Sequence, residues 1–488
     1  MPYRNPSTRR WNIGRDVTGV VLLLLALAFP WNLYVGIRIP DSKTAILELL
    51  LLVTVLSLVS TAATYVGPAR TNAVLAGRLR LSLNTPYLLL VFAFVVFDAV
   101  QTIRYGGSVR VPGGLGPGAW LGLAGSLLCA QPVIAEVAAD DGRFARWVVS
   151  GRVVGYASMV AAVLSFVFVL YWRVRYALPD HAGTSGFGKQ NVAVMVTAVV
   201  YGVVALVAVL VASSWIVQDA KPFRLATVSL GASTLVAGLL VWILPVGREI
   251  DAFHGIAQNT STAGVGFEGY AAWAAAAAIL APLALLQAVR ARPIDEGLWR
   301  EAARKGLLLI AVWCAGSVVM RITDLLVAVN LHYPFSRYDS MALAAFDLFT
   351  AVVAVWLRVN LANLSLSARL LSSVCGLLVA LTVARIVVGI VLAPRFSAPK
   401  RPAGMNSAVY GNNLAQQITS TFDVVLCGIA LGVLTAALVV GRRRRRMVQP
   451  PPPAQAHPPA RPTQRPRIHR PERIAPDRPK IYRSADER

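Results

Sequence analysis

The chain has little of what a soluble enzyme is built from. Only 14% of its 488 residues are charged, and acids are the scarcer sign, with 23 Asp and Glu against 47 Lys and Arg. Five histidines, scattered through connections and tail, leave no cluster with zinc-ligand spacing. Four cysteines (Cys129, Cys314, Cys375, Cys427) all fall inside apolar runs without Cys-x-x-Cys spacing, which excludes a metal knuckle and argues against a disulfide framework. Thiols in such settings behave as small hydrophobes. No glycine-rich loop has the strand before it and the helix after it that phosphate binding needs. No Asp-x-Asp pair or Ser/His arrangement is present either. These absences point away from an enzyme, and no cofactor, metal or nucleic acid is expected.

What is there is apolar. Hydrophobic residues make up 56% of the chain and mean hydropathy is +0.60. Apolar runs long enough to cross a bilayer, about 18 residues or more, recur along almost the whole length. The pattern predicts an all-α polytopic membrane protein of about 12 transmembrane helices arranged as hairpins, at 17–36, 45–66, 87–103, 119–138, 153–172, 192–217, 225–244, 270–289, 307–329, 341–356, 370–393 and 421–440. Residues 1–16 read as a short polar N-terminal segment, 17–440 as the helical domain and 441–488 as a basic tail.

The net charge of +24 is distributed as a membrane protein distributes it. The last 48 residues hold 14 Lys and Arg against 4 Asp and Glu, so much of the excess sits in one tail. With twelve spans both termini share a side. The connections on that side hold 19 Lys and Arg against 12 on the other, a bias that places both termini in the cytoplasm of a cell membrane. The tail, with 11 prolines after position 446, cannot form a core and is expected to be disordered. The run Arg442, Arg443, Arg444, Arg445, Arg446 follows the last span directly. It would anchor that span and attract anionic lipid headgroups at about 1 kcal/mol per residue.

Local patterns give further expectations. Trp31 and Tyr34 read as interfacial anchors after the first span. The Gly/Pro-rich stretch GGLGPG at 113–118 reads as a tight exposed turn. The 290–305 connection, with Leu298, Trp299 and Ala302 at helical spacing, suggests a short interfacial helix. The alanine run 274–278 allows close helix approach in lipid. The stretch GRDVTGVVLLLLALAFPWNLYVG resembles the opening of a family of uncharacterised multi-pass membrane proteins from actinobacteria. The resemblance covers that segment and the general layout, and implies no activity and no catalytic residue.

The most informative feature is charge inside apolar runs. Arg321 and Asp324 lie in the ninth span, Asp347 in the tenth, Arg385 in the eleventh and Asp423 at the start of the twelfth. A single Arg or Asp at the centre of a membrane helix costs about 2.5–3.5 kcal/mol even on lenient scales, so such residues pair or face a cavity. Both hairpins read Val-x-Arg-Ile, loop, Phe-Asp, which suggests an internal repeat with a buried pair in each copy. Asp98 and Glu48 fall at a similar depth, giving a candidate layer of Arg321, Asp324, Asp347, Arg385, Asp423, Asp98 and Glu48.

Two arrangements fit: local staples within each hairpin, or one shared polar cavity. The function classes that follow are a secondary transporter or flippase, and a non-enzymatic envelope-assembly or scaffold protein with other envelope proteins as partners. A glycosyltransferase using a lipid-linked sugar fits less well, because its first outer loop would need more acid than Asp41 alone.

Overall fold

A residue buried in lipid must satisfy its backbone within its own segment, so apolar runs of this length become helices. The computed structural model describes residues 6–32, 44–66, 72–104, 114–134, 141–178, 188–243, 267–290, 296–332, 337–361, 367–396 and 421–448. These form twelve α-helices: α1 Pro6–Ala28, α2 Thr44–Ala63, α3 Ala73–Arg104, α4 Pro117–Ala130, α5 Asp141–Ala177, α6 Lys189–Val217, α7 Lys221–Ile243, α8 Phe267–Arg290, α9 Glu296–Asn330, α10 Arg337–Asn360, α11 Ala368–Phe396 and α12 Thr421–Val448. Each expected span has its helix, and no strand occurs among the described residues. Ten of the helices are long and apolar enough to cross a membrane.

The other two, α4 and α8, are the most buried. α4 has 14 residues, about 21 Å of helix against a hydrocarbon thickness of about 30 Å. Nearly every residue of α4 is buried, as is the stretch Tyr270–Ala284 of α8 apart from a few partly covered positions. α4 packs against α1, α2, α3, α7 and α8, while α8 packs against α4, α5, α6 and α7. The other helices therefore wrap α4 and α8 and turn their own apolar faces outward. Exposed Val, Leu and Phe along α3, α5 and α10 form the outer face. Lipid offers no hydrophobic gain for helix association, so α4 is held by close approach and hydrogen bonds. At Gly125 an added Cβ would crowd Gly19 O and Leu23 of α1, which fixes that crossing as a near backbone contact.

Several local expectations need correction. α1 stops at Ala28 because Pro30 cannot continue it, and it begins eleven residues before the expected span, at Pro6. Residues 6–16 are thus helix, where a separate polar segment was expected. Trp31 is fully buried: its indole N–H donates to Ala26 O (2.9 Å) and its ring packs on Tyr87 and Phe94. Tyr34 lies outside the described residues.

The Gly/Pro stretch is also buried. Gly116 N donates to Trp31 O and Gly118 N to Pro30 O, both at 2.8 Å, so the stretch clasps the end of α1. A side chain at Gly118 would collide with Phe29 O and the Trp31 ring. Leu298 and Ala302 belong to the first turns of the continuous helix α9 and are buried, which removes the separate interfacial helix. The tail from 449 onward lies outside the described residues, as do the side chains of Arg442 to Arg446, although α12 continues helical to Val448.

Contacts fix the helix directions. Asn12 near the start of α1 exchanges two hydrogen bonds with Ile134, just past the end of α4 (2.8 and 3.0 Å). Ile134, Phe144, Leu283 and Trp11 pack together, so α8 ends and α5 begins at that same end of the bundle. Phe422, at the start of α12, packs its ring against Trp273 and, edge to face, against Trp313, toward the opposite end.

Candidate functional site

Two groups of buried charges stand at opposite ends of this bundle. The first surrounds Asp16 of α1. Arg80, two turns into α3, grips it with two parallel bonds: Nη1 to Oδ1 (2.8 Å) and Nη2 to Oδ2 (2.5 Å). Arg15 donates to Oδ1 through Nε (3.0 Å) and Nη2 (2.9 Å), and the Tyr65 hydroxyl donates to Oδ2 (2.7 Å). Two guanidinia share one carboxylate, leaving an excess of one positive charge among these three groups. The C-terminal end of α4 answers it. Arg15 Nη1 donates to Pro132 O (2.7 Å) and Arg80 Nη1 reaches Gln131 O (3.5 Å), where the partial negative charge of the helix end lies. Arg80 Nη2 also donates to Thr64 (2.9 Å). Asp16 thus accepts five hydrogen bonds, near the capacity of a carboxylate.

Gln131 links this end to α8. Pro282 lacks the N–H that would bond Ala278 O, so that carbonyl is left over inside the helix. Gln131 Nε2 donates to Ala278 O at 2.8 Å and lies 3.3 Å from Ile279 O, filling the gap.

The second group is a chain of alternating sign, with one member from each of α9 to α12. Arg321 Nε donates to Asp347 Oδ2 (2.8 Å). Arg385 Nε lies 2.5 Å from Asp347 Oδ1, and its Nη1 lies 2.7 Å from Asp423 Oδ1. Residues 313, 317 and 321 share one face of α9 at four-residue spacing. From that face the Trp313 indole N–H donates to Asp423 (2.7 Å), Ser317 donates to Asp347 (2.7 Å), and Arg385 Nη2 donates to Ser317 (3.2 Å). All four charged side chains are at most 3% exposed. Asp423 stands in the first turn of α12, whose positive end favours a carboxylate. α12 therefore starts deep in the bundle, which brings Asp423 level with the others.

The repeat's two pairs are joined rather than separate, because Asp347 serves the arginines of both hairpins. The other members of the expected layer sit elsewhere. Asp324 is buried on α9 near Arg321, outside the bonds described here. Asp98 is buried on α3 and faces Asn32 Nδ2 at 3.4 Å, against the end of α1. Glu48 is exposed on α2, so it leaves the layer: its position in the run gave its depth but not its direction.

Arg15, Asp16 and Arg80 were missed as site residues, because polar residues flanking an apolar run read as connection. A signal was present. Ala76, Arg80, Asn84, Tyr87, Val91 and Phe94 recur every three or four residues, and this stripe is the buried face of α3.

The sequence profile of a family described as a domain of unknown function (DUF7937) matches residues 12–442. No curated protein and no solved structure matches the chain.

Proposed function

We propose, for a chain that belongs to the DUF7937 family of domains of unknown function, that it is a membrane transport protein, a secondary transporter or flippase-like protein. What supports this reading is the chain Arg321–Asp347–Arg385–Asp423, one charge from each of four successive helices. Buried ion pairs gain little over well-packed apolar groups of the same volume, so stability alone is a poor reason to keep four charges in an apolar bundle. Intramembrane charges more often mark pathways and relays. Asp347 contacts Arg321 in its own hairpin and Arg385 in the next. Parting the hairpins breaks one of these contacts and leaves the other, so no charge is stripped bare as helices move. In this reading the chain has no catalytic role, both termini are cytoplasmic, and the arginines in the last turns of α12 meet anionic headgroups. The Asp16 cluster then lies toward the cytoplasm and the Asp347 chain in the outer half.

A second reading, an envelope-assembly scaffold, is favoured by the saturation of Asp16 and the near-complete burial of both groups. The two readings differ in whether the Asp347 chain ever opens. With the native cysteines replaced, Ser317→Cys would be exposed to a membrane-impermeant maleimide on intact cells. Asn84→Cys, beside the Asp16 cluster on the cytoplasmic side, sets the background rate for a position the reagent does not reach from outside. A transport protein labels Cys at 317 well above that rate and from outside. Equal, negligible labelling at both positions in folded protein would establish the scaffold.

A further inference from the structure

Arg321 differs from the other buried arginines in what its outer edge touches. Its side chain is 1% exposed and its Nε is taken by Asp347. Nη1 and Nη2 make no hydrogen bond among the described residues. Arg80, in contrast, places both Nη atoms on Asp16, and Arg385 spends its two on Asp423 and Ser317. Nη1 and Nη2 together carry four N–H donors in one plane, two of them parallel on the Nη1–Nη2 edge. Native interiors rarely leave such donors unmet, so a partner other than the described side chains occupies them. Their spacing matches two oxygens of a carboxylate or phosphate, the geometry for which arginine is used in preference to lysine.

We infer that the Nη1–Nη2 edge of Arg321 is the seat of a small oxyanion, a carboxylate or a phosphate. This rests on the transport reading and names its substrate class. Arg321 lies nine residues before the end of α9, about 14 Å along the helix, which is deeper than a headgroup resting at the interface. The occupant is therefore a soluble anion or a headgroup in passage. The two arginines and two aspartates sum to zero and buried Asp324 stands near Arg321, so the anion adds uncompensated negative charge and enters with a monovalent cation or a proton. It also competes with Asp347 for Arg321. Asp347 keeps Arg385 and the Ser317 hydroxyl when that contact is lost, so occupancy leaves α10 tied to α11 by an ion pair and to α9 by a single hydrogen bond.

The test uses the purified full chain in phosphatidylcholine nanodiscs, titrated with sodium phosphate or sodium acetate against sodium chloride at matched ionic strength. A saturable rise in unfolding temperature with at least one of the two is expected. Arg321→Lys keeps the charge but loses the fork, and should weaken that response about tenfold or more. Arg175→Gln, at the far end of α5, should leave it unchanged. If a lipid headgroup is the source, phosphatidylglycerol discs raise the unfolding temperature of the wild type and suppress the response to phosphate, again through Arg321. No response to either anion or to phosphatidylglycerol overturns the inference, as does a response equal in Arg321→Lys and wild type. Labelling at position 317 uses no anion, so this failure would leave the transport reading standing.

Discussion

The Asp16 cluster and the Asp347 chain each bury two arginines, yet they treat them differently. Around Asp16, five donors converge on one carboxylate, and the leftover positive charge is met by the carbonyl end of α4. Around Asp347, carboxylates and guanidinia alternate one to one, and one arginine keeps an unused edge. The first arrangement has a single solution and ties α1, α2, α3 and α4 together. The second offers Asp347 a choice of arginine and Arg385 a choice of aspartate. Buried charge can therefore serve either as a fixed joint or as an exchangeable one. The count of donors per carboxylate, more than burial, separates the two.

If that distinction holds, the largest effect should follow Asp16→Ala. It leaves two guanidinia buried without a carboxylate, and removing one partner of a buried pair typically costs about 3–5 kcal/mol. The yield of monodisperse protein should collapse, and Asp16→Ala with Arg80→Ala should recover only part, because Arg15 remains. Wild-type yield from Asp16→Ala would mean that the carbonyls of Gln131 and Pro132 suffice.

The Asp347 chain should respond by degrees. Arg385→Ala should lower the unfolding temperature more than Asp423→Ala, since Arg385 reaches Asp347, Asp423 and Ser317. The double mutant should be less destabilised than the sum of the two, with a coupling of about 0.5–3 kcal/mol in a double-mutant cycle. Simple additivity would break the pairing, and with it the exchangeable joint. Trp313→Phe keeps a ring against Phe422 but loses the donor to Asp423, a change of about 1.5–3 kcal/mol for a bond to a charged group. Smallest of all is Glu48→Gln on the exposed side of α2, where the melting curve should not move.

Much of this arrangement was legible in the sequence because lipid permits so few solutions. Twelve apolar runs gave twelve helices, and the charges inside runs, Arg321, Asp347 and Arg385, pointed to the region where the chain forms. Its linkage was not legible, because Asp347 to Arg385 is a contact between hairpins and no local spacing encodes it. The Asp16 cluster escaped for another reason. Arg15 and Arg80 lie where a span meets its flank, and composition alone cannot separate a basic residue that orients a helix from one drawn inside it. The periodicity of Arg80 and Asn84 with Tyr87 and Phe94 could have done so. Glu48 shows the converse error, a buried depth inferred without a direction.

Gln131 also sets an order of events during synthesis. Its acceptor, Ala278 O, lies 147 residues further along the chain. At about 5–20 residues per second, the partner follows after roughly 7–30 s. Until then α4, too short to span the hydrocarbon by itself, must shelter against α1 and α3 with a polar amide at its end. Pro282 keeps a carbonyl open for that amide, so the helix that arrives late is marked for the place already waiting. Replacing Pro282 by Ala would close that carbonyl within α8 and turn Gln131 from a docking group into a stranded one.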